Sequence, residues 1–122
     1  MTIAKILSLF DRLVPNQIDD EIKKGWLSDL DGQVFEEIIK PREDAPRQLF
    51  ERYEDLWAEL LAPEPYAMDL YCSYLKTKLY LEYNESDKYN QSADIFEAAM
   101  QNFRNWYCST HPLKRVRWRF SF

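Results

Sequence analysis

Glycine is nearly missing from this chain: Gly25 and Gly32 are the only two among 122 residues. Two isolated glycines seven positions apart cannot form the backbone loop that cradles a phosphate, so mononucleotide- and dinucleotide-binding loops are excluded. With six prolines beside them, the shortage argues against a β-sandwich or barrel, which needs turn residues at short regular intervals. Histidine is scarcer still. His111 stands alone, between Thr110 and Pro112, and no nucleophile lies at a motif spacing that would give it a partner. It reads as a capping or loop residue, favourable near the negative end of a helix. Cysteine is limited to Cys72 and Cys108, with no CxxC and no second cluster for zinc. If the two lie on antiparallel helices turning near Glu85, they are offset by about 13 Å along the axis, beyond disulfide reach, and two reduced thiols are expected. No apolar run approaches the roughly 20 residues of a membrane span. The first residues carry charges at Lys5, Asp11 and Arg12 without a cleavage site, and read as mature, cytosolic sequence.

What is present is one domain's worth of residues, rich in rings. Seven Phe, eight Tyr and four Trp, each burying on the order of 150–250 Å² when inside, rule out disorder and supply a core. Charge is distributed unevenly. Residues 1–113 hold all 21 acidic and 12 of the 16 basic side chains, a net of −9, whereas Lys114, Arg115, Arg117 and Arg119 place +4 on the last nine residues. An acidic body argues against sequence-independent duplex binding, and four tail charges neutralise few phosphates. The acidic runs Asp19-Asp20-Glu21 and Glu36-Glu37, with Asp29 and Asp31, read as helix-start charges and solvated faces. Di-iron bundles want Glu-x-x-His repeats, which one histidine cannot supply. No catalytic residue, cofactor or metal site is expected.

Hydrophobic periodicity predicts an all-α fold of four to five helices. Thr2 is a fair N-cap, and Ile3, Ile6, Leu7, Phe10, Leu13 and Val14 form one face of a first helix that Pro15 ends. Asn16 offers a cap for a second, read as one long helix over residues 18–40, with Ile18, Ile22, Trp26, Leu27, Leu30, Val34 and Ile38 as its stripe, Gly32 as the one point where it could break, and a stop at Pro41. Residues 41–47 are a polar loop. Leu49, Phe50, Tyr53, Leu56, Trp57, Leu60 and Leu61 match a helical face, which predicts a helix over 48–62, closed by Pro63-Glu64-Pro65. Residues 66–83 are apolar nearly all round, as in a central helix. After Asn84-Glu85, Ser86 caps a helix over 86–109 whose stripe is Tyr89, Ala93, Phe96, Ala99, Met100, Phe103 and Tyr107. So short a link makes these two helices antiparallel neighbours.

The last residues change period. Arg115, Arg117, Arg119 and Ser121 alternate with Val116, Trp118, Phe120 and Phe122, which is strand patterning with one basic and one aromatic face. The chain therefore divides into a helical domain, 1–113, and a C-terminal strand or arm, 114–122. Two readings of the arm stand open. It is either a last strand laid against its own body or a strand added to another subunit, with Arg115, Arg117, Trp118, Arg119, Phe120 and Phe122 as the interface.

One resemblance extends over about residues 15–112. Pro15-Asn16, Glu21, Lys23, Trp26-Leu27, Leu30-Asp31-Gly32 and Val34, then Leu60-Leu61-Ala62-Pro63-Glu64-Pro65-Tyr66, Asp69-Leu70-Tyr71 and Tyr74-Leu75, then Tyr89-Asn90, Ser92, the stretch from Phe96 to Phe103, Trp106-Tyr107 and Thr110-His111-Pro112, resemble small structural proteins of Firmicutes phages and prophages. That family is similar in size and position to the head–tail connector (adaptor) proteins of long-tailed phages. The chain departs from it at Asn84-Glu85-Ser86, where relatives carry an Asn-Gly-Glu-like turn, and in lacking a Met before Pro112. The resemblance implies a virion assembly protein of the neck, made in the bacterial cytoplasm. Copies would form a homo-oligomeric ring, with portal and tail-completion proteins as partners and DNA only as cargo through the channel. It implies no membrane and no small-molecule ligand. The alternative is a small helical regulatory protein that binds a host or phage partner through its aromatic surface.

Overall fold

The computed structural model describes residues 1–113. Four helices follow in order, α1 (Ile3–Leu13), α2 (Asp20–Val34), α3 (Glu64–Glu82) and α4 (Ser86–Thr110), and a π-helical turn over Phe35–Ile39 continues α2. The protein is an all-α bundle. Among the described residues no helix is long and apolar enough to cross a membrane. The expected C-terminal strand lies outside the described residues.

Thr2 caps α1 as its sequence position suggests, its Oγ1 accepting the Lys5 N–H at 3.2 Å, and Ile3, Ile6, Leu7 and Phe10 are buried. Asn16 does not cap α2; Asp19 occupies that position. Asn16 instead builds the corner between the helices. Its Oδ1 accepts the Ile18 N–H at 3.1 Å, and its Nδ2 donates to Asp11 at 3.0 Å and to the Val14 carbonyl at 2.9 Å. Lys23, 1% exposed, closes the same corner, its Nζ lying 2.6 Å from Asp11 Oδ1, 3.4 Å from Asp20 Oδ1 and 3.2 Å from Asn16 Oδ1. A buried ammonium is tolerable only with such partners.

The helix runs through Gly32 without interruption, because a helical glycine costs only about 1 kcal/mol and the Phe50 ring packs where its missing Cβ would point. The irregularity comes later. The Lys40 N–H bonds the Phe35 carbonyl five residues back at 2.8 Å, and this wider turn lets Phe35, Ile38 and Ile39 all bury. Ile22, expected on the buried stripe, is half exposed, because the face of α2 that buries runs through Lys23, Leu27, Leu30, Asp31 and Val34.

The helix expected over 48–62 is absent. Its amides and carbonyls are engaged by other elements. Ala58 and Leu56 carbonyls accept the Ile3 and Ala4 N–H groups at 3.1 and 2.8 Å, the Leu60 N–H reaches the Met1 carbonyl at 3.0 Å, and the Tyr53 N–H reaches Ser28 Oγ at 3.2 Å. Ile3 and Ala4 are the orphan donors of the first turn of α1, so this extended wrap caps a neighbouring helix in place of forming one. Leu60 and Ala62 are buried, while Phe50, Tyr53, Leu56 and Leu61 pack against the core. Leu49 and Trp57 are left exposed.

The α3–α4 hairpin forms the centre of the bundle, as its sequence predicts. Leu70, Tyr71, Leu75 and Leu79 of α3 and Ala99, Met100 and Phe103 of α4 are all buried in the one core. The turn ends α3 with two bonds, Glu85 N–H to the Tyr80 carbonyl at 3.0 Å and Asn84 N–H to the Leu81 carbonyl at 3.3 Å, the pattern of a Schellman cap. Asn84 sits at φ 55°, the left-handed position that glycine occupies without strain. Asn84→Gly is therefore expected to raise stability by about 0.5–1 kcal/mol, read as an upward shift of the urea midpoint; an unchanged or lowered midpoint would contradict this.

Candidate functional site

Asp31, in the last turn of α2, is completely buried. Three donors, two from the wrap and one from α3, converge on its carboxylate. Tyr71 of α3 donates its hydroxyl to Oδ1 at 2.6 Å, while the Leu61 N–H at 3.0 Å and the Tyr53 hydroxyl both reach Oδ2. The Tyr71 hydroxyl in turn accepts the Ala62 N–H at 2.9 Å. One carboxyl thus ties the wrap at both Tyr53 and Leu61 to the two helices beneath it.

Burial is the largest influence on Asp31 and raises its pKa above the ordinary carboxylate value near 3.8, although the Tyr53, Tyr71 and Leu61 hydrogen bonds each pull it down. Burial, together with the facing carboxylate, also pushes the Tyr53 and Tyr71 hydroxyls up, so both stay protonated and remain donors. A native pKa raised above the unfolded one gives stability that is complete below the unfolded value and is lost as pH rises through the native value. The stability advantage of the wild-type chain over Asp31→Asn, which has no titrating group there, is expected to be greatest at about pH 4 and to narrow toward neutrality in urea titrations. A gap that widens with pH would mean that the three donors outweigh desolvation.

The pinned wrap leaves a cleft of about 790 Å³ between itself and the end of α2. Phe35 and Ile39 of the π-turn form one wall, and Pro46, Leu49, Phe50 and Leu61 form the other. Phe50 stands edge-on to Tyr53 at 5.3 Å between ring centroids and 6.2 Å from Phe35. Glu51 and Glu59 are the charged lining residues. Most of the lining is apolar, and Glu59 is paired with the Met1 ammonium at 2.8 Å.

Beside this cleft the chain is clamped before residue 114. Arg42 donates from Nε to the Ile38 carbonyl at 3.1 Å, from Nη1 to the His111 carbonyl at 3.4 Å and from Nη2 to Cys108 Sγ at 2.6 Å. Arg42 and Leu113 form an isolated antiparallel bridge, and the Glu43 N–H bonds the Pro112 carbonyl at 2.9 Å. His111 is the C-cap residue of α4. Its ring stacks on Tyr107 at 3.9 Å, and its Nε2 lies 3.6 Å from Asp44.

Arg115, Arg117, Trp118, Arg119, Phe120 and Phe122, the interface residues expected from sequence, lie outside the described residues. Cys72 is buried, with its thiol pushed up by that burial, and Cys108 is half-buried; both are free thiols. The acidic runs are dispersed among ion pairs. Glu21 meets Lys24 at 2.8 Å, Glu36 meets Lys40 at 3.2 Å, Glu37 meets Arg104 at 3.3 Å, and Asp29 pairs with Arg52. Asp31 is the exception to the solvated-face reading of these acids. A signal for it was present in sequence: Lys23, Leu27, Asp31, Val34 and Ile38 share the helical spacing of the buried stripe. The cleft had no such signal, since it depends on an extended path for a segment with helical periodicity. No family model, curated protein or solved structure matches the chain.

Proposed function

We propose that the chain is a phage head–tail connector, a virion assembly protein whose copies form a ring between portal and tail around the DNA channel. The observation that carries this reading is spatial. Motifs far apart in sequence that bear the resemblance to small phage structural proteins meet in two buried clusters. Leu30-Asp31-Gly32, Leu60-Leu61-Ala62 and Asp69-Leu70-Tyr71 join at the Asp31 carboxylate, while Asn16 and Lys23 join at the α1–α2 corner. The resemblance therefore falls on the residues that hold this fold together, as expected of a shared scaffold and not of a shared catalytic site.

One further feature supports a structural role. The net charge of −9 on residues 1–113 would repel a DNA backbone and let cargo pass without being trapped. The encoding gene is expected among portal, capsid and tail genes. Mass spectrometry of purified virions from the corresponding phage is expected to find the chain in the particle. Its absence from virions, together with co-purification as a one-to-one complex with a host enzyme, would replace this reading with that of a small regulatory protein acting through its aromatic surface.

A further inference from the structure

We propose that the cleft between the wrap and the π-turn is the docking site for the chain's own residues 114–122. The clamp at Arg42 places the start of this segment next to the cleft. Leu113 is bridged to Arg42, three residues after Ile39 and four before Pro46, and both of those residues line the cleft. Nine residues in extended form span about 30 Å, ample to cross it.

The chemistry of the two surfaces is complementary. The segment alternates Val116, Trp118, Phe120 and Phe122 with Arg115, Arg117 and Arg119, so an extended conformation presents rings on one side and guanidinium groups on the other. The cleft is lined by the apolar side chains of Phe35, Leu49, Phe50 and Leu61 together with the carboxylates of Glu51 and Glu59, the latter shared with the Met1 ammonium at 2.8 Å. Glu43 and Asp44 stand along the path from the clamp; Arg47 is the one cation between residues 43 and 51. Leu49, 71% exposed, is the kind of large apolar side chain that a ring would cover. Tethering favours the chain's own segment over any other, because a short link gives an effective concentration on the millimolar scale.

Photocrosslinking on the full chain tests this. Benzoylphenylalanine placed at position 120, in a dilute mixture of ¹⁴N- and ¹⁵N-labelled protein, is expected to give crosslinked peptides joining the tail to residues 46–61, with both peptides of a pair carrying the same isotope. Leu49→Asp, at an exposed position that the fold tolerates, is expected to lower the yield about fivefold. Mixed-isotope pairs would assign the cleft to the tail of a second copy. Crosslinks to other surfaces, or none from the tail, would remove it from the cleft altogether. Each of these results overturns the proposal, while the presence of the chain in virions tests the assembly reading separately.

Discussion

Replacing Asp31 with alanine is expected to lower stability by about 3–5 kcal/mol, a large share of the 5–15 kcal/mol typical of a whole domain. The estimate follows from what the substitution strands. The Tyr71 hydroxyl and the Leu61 N–H lose their acceptor inside the protein, each at about 1–3 kcal/mol, whereas Tyr53, half-buried, can turn toward water. A drop in melting temperature of about 10–20 °C should accompany it. The damage should be directional. Limited proteolysis of Asp31→Ala is expected to cut first within residues 46–61, because this carboxyl is what ties the wrap to α2 and α3. Asp31→Asn keeps one oxygen acceptor and should cost about 1–3 kcal/mol. A loss under about 1 kcal/mol for the alanine variant, with the wrap still resistant, would mean that apolar contacts alone hold the segment.

The second large effect is on assembly. Deletion of residues 114–122 is expected to leave the helical circular dichroism of the bundle in place, since the α3–α4 hairpin and its buried Leu70, Leu75, Leu79 and Phe103 belong to the part that remains. Assembly is expected to be lost completely. A segment that docks in its own cleft can dock in a neighbour's identical cleft at little extra cost, the exchange that underlies domain swapping, and removing it removes the link between copies. Light scattering on full-length and truncated chains reads the difference. Unfolding of the truncated chain would make the segment a core strand, and undiminished oligomers would place the subunit contact elsewhere.

Apolar periodicity was enough to read α1, the continuous helix from α2 into the π-turn, and the central hairpin, because in those segments side-chain burial and backbone bonding favour the same conformation. They diverge over residues 48–62. Leu49, Phe50, Tyr53, Leu56, Trp57, Leu60 and Leu61 fit a helical face, yet periodicity records side chains only. The deciding interactions are backbone groups of Leu56, Ala58 and Leu60 engaged by the start of α1, some 55 residues away in sequence, with prolines at 46 and 63 bounding the segment. The same distance hid the Asp31 cluster, whose partners lie 22, 30 and 40 residues off. Beside Asp29, which is exposed and paired with Arg52, Asp31 looked like one more acid on a solvated face. Its position on the stripe between Leu27 and Val34 was the discriminating feature. Lys23 belongs to the same class: a charge on an apolar stripe marks a buried polar tie more often than an error in the pattern.

A ring of copies on a portal adds mass to the portal in whole multiples of the chain. Mass photometry of the purified full-length chain, mixed with the portal protein encoded in the same genome, is expected to find a single large species in which several copies are bound to the portal, and to lose it when residues 114–122 are removed. A chain that stays monomeric and leaves the portal mass unchanged would rule the ring out.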